Sequence, residues 1–224
     1  MTGSNGQAAV EPRALGGDIS NAAAATIATE EPYTATVTIR GTKAILFHRW
    51  QCDAVEAKAA AAKGSKAKKS DDVESYVWRC PDGTLGLPGM YLLGSMTDPR
   101  NGAAKYRQDP RSSRKSALDL VRASVSSLTD LAPLTRSDGS SATSWDYLDR
   151  RRVTVQRQGV TRERPALAEG WQAEFQLLVT SPEYVAPVFL HDLLSLGGRT
   201  VGVGDFRPTY GRFQVVRFDV GFAA

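Results

Sequence analysis

The segment WQAEFQLLV, from Trp171 to Val179, alternates apolar and polar residues without a break: Ala173, Phe175, Leu177 and Val179 fall on one side, Gln172, Glu174 and Gln176 on the other. A period of two is that of a β-strand with one face in a core and the other in water. Tyr33, Ala35, Val37 and Ile39, interleaved with Thr34, Thr36 and Thr38, repeat the pattern near the start of the chain. One-sided strands pair antiparallel and need a second layer over their apolar face.

Helical stripes between and after these strands can supply that layer. A short helix is expected from about Met90, after Pro88 and Gly89. A second is expected to begin at Ser112 or Ser113, either of which could cap it, with Leu118, Val121 and Val125 on one side and Leu128 close to the same stripe. Ser181, Pro182 and Glu183 read as the N-cap, first-position proline and first-turn acid of a third. Its stripe is Val185, Val188, Phe189, Leu193 and Leu196, and Gly197 is its expected stop. Short strands are expected at Tyr76 to Arg79, before the Pro81-Asp82-Gly83 turn, and at Phe213 to Val220. The order predicts an α+β protein: a ferredoxin-like (RRM-like) βαββαβ core with an antiparallel sheet, basic loop insertions and a C-terminal glycine-rich loop.

The 224 residues, 42% of them hydrophobic, suffice for one such domain. Residues 1–32 carry no sustained apolar period and are expected to form a flexible tail before a single domain at 33–224. A mobile insertion around 56–74 and a loop around 136–147 interrupt that domain. No apolar run approaches the ~20 residues of a membrane span, and the first residues lack a secretory pattern, so no membrane partner is expected. Cys52 and Cys80 match no zinc spacing and have only His48 and His191 for company. These counts predict a reduced, cytoplasmic protein with no metal and no cofactor.

A net charge of +4 and a pI near 9.1 are mildly basic, so any case for a nucleic-acid partner must rest on clustering. Lys63, Lys66, Lys68 and Lys69 lie in the insertion, which is either a solvated loop or an arm that contacts nucleic acid. Arg150, Arg151, Arg152, Arg157, Arg162 and Arg164 put six arginines into fifteen residues of an extended stretch ending at Pro165. Near the C-terminus, Gly197, Gly198, Gly202, Gly204 and Gly211 let the backbone turn and approach another surface, while Arg199, Arg207 and Arg212 supply donors matched to phosphate. GVGDFR (Gly202 to Arg207) lacks the third glycine of a dinucleotide fingerprint and runs from helix to strand, the reverse of what such a site requires.

His48, Arg49 and Trp50 place two cations and a ring at a strand end, which suits single-stranded bases and phosphates; alternatively, Trp50 caps the core. His191, beside Asp192, reads as structural or exposed. There is no nucleophile elbow and no phosphate-binding lysine loop. Asp53 is the candidate for general-base chemistry, with Asp71 and Asp72 the other acids near the basic insertion.

GLPGMYLLGSM (Gly86 to Met96) resembles the proline-glycine helix start of the RAMP superfamily, which includes the backbone subunits of CRISPR effector complexes. GGRTVGVGDFRPTYGRF resembles that superfamily's C-terminal glycine-rich loop. LFHRW (Leu46 to Trp50), TRERP (Thr161 to Pro165) and GVGDFRPTYGRF (Gly202 to Phe213) are similar to a RAMP-like group found in tailed phages and prophages. The resemblance implies a head-to-tail homo-oligomer whose subunits lay their loops along single-stranded RNA or DNA, in a bacterial or phage-infected cytoplasm. Other effector or phage proteins would be further partners. RAMP subunits that cut RNA use a loop aspartate, matched by Asp53 only in rough position, so binding without catalysis is the expected function. The alternatives are a ribonuclease using Asp53 and a phage structural or assembly protein whose glycine-rich loop joins subunits.

Overall fold

The computed structural model describes residues 31–49, 56, 60, 72–155 and 158–222. Most of the expected tail and insertion therefore lie outside the described residues. The two alternating segments form β1 (Tyr33–Gly41) and β11 (Gln172–Val179), antiparallel neighbours at the centre of a four-stranded sheet. β12 (Phe213–Phe222) flanks β1, and β7 (Val125–Ser127) flanks β11, every pair antiparallel. The resulting order, β12-β1-β11-β7, is compatible with the expected ferredoxin-like core.

Register aligns the apolar sets. Tyr33 lies opposite Val179, Val37 opposite Phe175 and Ile39 opposite Ala173, so one face of the sheet is continuous hydrocarbon. Three helices cover it: α1 (Gly89–Thr97) with Leu92 and Met96, α2 (Leu118–Ser124) with Leu120 and Val121, and α3 (Pro187–Thr200) with Leu190, Leu193 and Leu194. Two smaller sheets lean on this core. One orders β2 (Ile45–Leu46), β10 (Gln158–Leu167) and β9 (Tyr147–Val155); the other orders β3 (Trp78–Arg79), β4 (Leu85–Pro88) and β8 (Leu131–Pro133). A further hairpin pairs β5 (Gln108–Asp109) with β6 (Ser112–Ser116).

Several boundaries differ from the sequence expectation. Ser112 and Ser113 cap nothing, because the Asp109 carboxylate accepts the Arg111 backbone N–H at 2.9 Å and turns the chain into the β5–β6 hairpin. The helix begins only at Leu118, and Val125 already belongs to β7, which leaves Leu128 outside the helix and 52% exposed. Ser181 starts a single turn, its carbonyl accepting from Tyr184 and Val185. Ala186 precedes Pro187 and is extended (ψ 155°), so that turn cannot propagate, and Pro187 opens the helix instead of Pro182. Val188 is then exposed on its outer side.

Gly197 does not end α3. A Cβ there would stand 2.9 Å from the Ser95 hydroxyl oxygen, and one at Gly198 would stand 2.3 Å from the Phe213 carbonyl oxygen. These glycines let the helix run on while touching α1 and β12, and the stop falls to Gly202 at φ +78°. The expected strand from Tyr76 shortens because Val73–Tyr76 winds into a 3-10 turn.

Candidate nucleic-acid interface

Three stretches far apart in the sequence meet beside the core. The β2 strand and the extended residues to Arg49 run between β10 and the glycine-rich loop. On one side, the Phe47 N–H donates to the Pro165 carbonyl at 3.0 Å. On the other, the Asp205 N–H donates to the Leu46 carbonyl at 2.9 Å and the Gly211 N–H to the Ala44 carbonyl at 2.8 Å. LFHR, TRERP and the loop following α3 are thus one backbone-bonded unit.

The loop glycines serve this internal packing. At Gly204, a Cβ would meet the Ile45 side chain and the Leu46 carbonyl oxygen, each at 2.8 Å. Gly202 and Gly211 bring the two arms of the loop together, with the Val203 N–H donating to the Gly211 carbonyl at 2.9 Å. Close approach was the expected use of these residues; the surface they approach is the chain's own.

At the loop apex, Phe206 adopts φ +58°, a left-handed conformation that costs a non-glycine residue about 1 kcal/mol or more. Its surroundings offset that cost. The guanidinium carbons of Arg164 and Arg151 lie 5.0 Å and 5.8 Å from its ring centroid, and Tyr210 meets it edge-on at 6.5 Å. Arg164, 7% exposed, pairs with Asp205. Arg151 pairs with Asp149 at 2.9 Å and donates to the Tyr210 hydroxyl. The cluster locks the loop onto the β9–β10 hairpin, with its cations committed to acids within the chain.

Removing one acid exposes that commitment. Asp205→Ala leaves the Arg164 guanidinium buried without its counter-ion, and because Asp205 is itself about a third exposed the expected loss is about 2 kcal/mol, below the range for fully buried pairs. Urea unfolding checks the value. The double variant R164M/D205A should lose less than D205A alone, since it removes the stranded charge.

The pleat divides the remaining arginines of the hairpin. Arg162 lies opposite Arg151, and Arg164 opposite Asp149, on the face toward the loop; Arg150 and Arg152 pair with Glu163 and Thr161 on the reverse face. Arg150 forms an ion pair with Glu163 at 2.6 Å, whereas Arg152 and Arg162 form none among the described residues. Beyond the apex, Arg207 reaches Asp98 at 3.6 Å, and Arg212, exposed, donates through Nε to the Pro208 carbonyl at 2.8 Å. Arg199 is exposed in the last turn of α3.

His48 and Arg49 pack against the Val73–Tyr76 turn and β3, the Arg49 N–H donating to the Tyr76 carbonyl at 2.9 Å. The His48 ring lies 4.8 Å from that of Tyr76, and the Arg49 guanidinium sits 4.4 Å over Trp78. Arg49 Nε and Trp78 Nε1 are buried donors with no acceptor among the described residues. Trp50, Asp53, Lys63, Lys66, Lys68, Lys69, Arg157 and Cys52 lie outside the described residues. Cys80 is free, and burial together with Asp82 pushes its thiol up. His191 packs edge-on against Phe218 at 5.4 Å, a structural placement.

Two features of this surface are not apparent from sequence patterns alone. The open face of the main sheet carries Thr34, Thr36, Thr38, Gln172, Glu174, Gln176, Arg217 and Asp219, with Arg217 bridging Glu174 at 3.6 Å and Asp219 at 2.5 Å. No ring from β1 or β11 stands there to stack a base, as RRM-type recognition requires. Exposed positive charge instead gathers between residues 100 and 115, where Arg100, Lys105, Arg107, Arg111, Arg114 and Lys115 are all exposed. Its sequence signal was six cations in sixteen residues, masked by the expectation that a helix would begin at Ser112.

No family model matches the chain, and no curated protein matches it. Among solved structures, it is similar to a chain in the cryo-EM structure of the Type III-B Cmr-beta bound to cognate target RNA, with 13% identity over 87% of its length and a TM-score of 0.49. The chain spans 62% of the length of that chain. Among the described residues, no helix is long and apolar enough to cross a membrane.

Proposed function

We propose that this protein is a noncatalytic, RAMP-like subunit that binds single-stranded nucleic acid and multimerises head-to-tail along it. The observation that carries the reading is the backbone-bonded convergence of LFHR, TRERP and the glycine-rich loop, the three stretches that bear the family resemblance. Around that unit, Arg162, Arg199 and Arg212 make no ion pair among the described residues and are available for phosphate, and Arg207 reaches Asp98 only at 3.6 Å, whereas Arg151 and Arg164 are held by Asp149 and Asp205. His48 and Arg49, with the rings of Tyr76 and Trp78 beneath them, flank the same segment and suit the path of a strand. The glycines are occupied within the chain, which favours a strand-binding role over one in which the loop itself joins subunits.

Anisotropy titrations of the purified chain with labelled oligo-U and oligo-dT test this. Binding should weaken steeply between about 50 and about 200 mM salt, since each neutralised phosphate on a single strand contributes about 0.7 to the log–log slope. Arg207→Ala with Arg212→Ala should lower affinity about twentyfold at about 0.1 M salt by removing two such contacts. Absence of binding to both oligomers at low salt defeats the reading. Site-spaced cutting of bound RNA that Asp53→Ala abolishes would make the protein a ribonuclease instead.

A further inference from the structure

The β5–β6 hairpin and the turn leading into it carry the densest unpaired positive charge among the described residues. Of the six cations between Arg100 and Lys115, only Arg111 is in an ion pair among the described residues, with Asp109 at 2.8 Å. The Arg111 side chain bonds both Asp109 oxygens and holds that carboxyl at about 2, so the pair stays formed at any physiological pH. Lys105 turns its ammonium onto the Pro99 and Arg100 carbonyls, at 3.4 Å and 3.2 Å, and braces the turn. Arg107, Arg114 and Lys115 remain exposed and make no ion pair among the described residues.

Rings accompany these charges. Tyr106 is 65% exposed directly before Arg107, and Tyr184, 41% exposed, lies 5.6 Å from the Arg111 guanidinium carbon. Cations interleaved with accessible rings fit a flexible polyanion whose bases can stack, which is the chemistry of a single strand. A duplex offers phosphates but shields its base faces.

The hairpin also continues the surface described above. Arg207 of the glycine-rich loop reaches Asp98 at 3.6 Å, and the other oxygen of that carboxylate accepts the Arg100 backbone N–H at 2.8 Å. The Gly102 N–H bonds the Asp98 carbonyl at 2.8 Å, so the turn that carries Arg100 and Lys105 is fixed to the residue Arg207 touches. Asp119, exposed on the adjacent α2, and Glu183, exposed beside Tyr184, are the acids at the margin.

We infer that the β5–β6 hairpin is a second contact surface for single-stranded nucleic acid, with Arg107, Arg114 and Lys115 on phosphates and Tyr106 stacking on a base. The inference rests on the proposed function for the identity of the ligand, and extends the bound strand from Arg207 across the turn at Arg100 to the hairpin.

Its test is the same titration, with oligo-U and oligo-dT as probes, on the full chain carrying R107A/R114A/K115A. These side chains are exposed, so melting temperature should be unchanged. The log–log salt slope should fall by about 2 and affinity by about a hundredfold at about 0.1 M salt. Tyr106→Ala should lower affinity about tenfold with the slope unchanged, because stacking releases no counterions. If the triple variant binds as wild type does while R207A/R212A is weakened, the hairpin surface is disproved and the proposed function stands. If wild type binds neither oligomer, both fall. If the triple variant instead alters self-association without nucleic acid, the surface is a contact between copies of the chain and the inference is overturned.

Discussion

Gly211→Ala is expected to cost about 3–5 kcal/mol of stability, combining left-handed strain with an overlap that has no easy relief. Gly211 sits at φ +68°, and a Cβ there would stand 1.7 Å from the Val203 carbonyl oxygen and 2.8 Å from its carbon. Both obstacles are backbone. They cannot rotate away as a side chain would, and separating the arms breaks the Val203 to Gly211 hydrogen bond at 2.9 Å and strains the Gly211 to Ala44 bond at 2.8 Å. The second of these ties the loop to the residue preceding β2, so under the proposed function binding to oligo-U should fall with stability. Gly83 and Gly139 provide the comparison: each has φ +84° and open space where a Cβ would go. Alanine at either should cost only about 1 kcal/mol, the conformational share alone. Urea unfolding of the three variants side by side measures the difference, and equal losses would contradict the loop packing described here.

Trp171→Ala should destabilise to a similar extent, about 3–5 kcal/mol, through loss of the largest fully buried side chain. Its indole N–H donates to the Lys43 carbonyl at 2.9 Å, and its own carbonyl accepts the Gly41 N–H at 2.7 Å. Gly41 lacks a side chain for the same reason, since a Cβ there would lie 2.1 Å from the indole nitrogen. The ring thereby fixes the connection from β1 to β2, whose Ala44 carbonyl receives the loop. Trp171→Phe keeps most of the packing and strands one carbonyl, so thermal or urea denaturation should show a loss nearer 1–2 kcal/mol. A loss as large as that of the alanine variant would assign the effect to the hydrogen bond instead of the volume.

Segments governed by local periodicity were legible in the sequence. β1 and β11 appear where alternation places them, because a one-residue slip would turn Tyr33, Val37, Phe175 and Leu177 into water. The α+β class and antiparallel sheet follow from the same patterns. Helix boundaries were less legible: Pro182 reads as the first position of the last helix, but Pro187, by holding Ala186 extended, opens it instead. Ser112 failed as a cap because Asp109 and Arg111, three residues before it and one, turn the chain first. Gly197 failed as a stop because its lack of a side chain is used for contact with Ser95, a partner about a hundred residues away.

Composition likewise located the positive charge without saying which of it is available. Arg151 and Arg164 read as phosphate ligands until the fold sets Asp149 and Asp205 against them, while Arg114 and Lys115 join the exposed cations from Arg100 onward because a hairpin strand, not a helix, carries them. By itself the sequence determined the faces of β1 and β11 and the α+β class with its antiparallel sheet, since these depend on neighbours within a few residues. Tertiary structure alone decided which glycines pack, which arginines are neutralised and how three distant motifs become one unit. Each of those outcomes rests on hydrogen bonds and ion pairs between groups whose proximity exists only once the chain has closed.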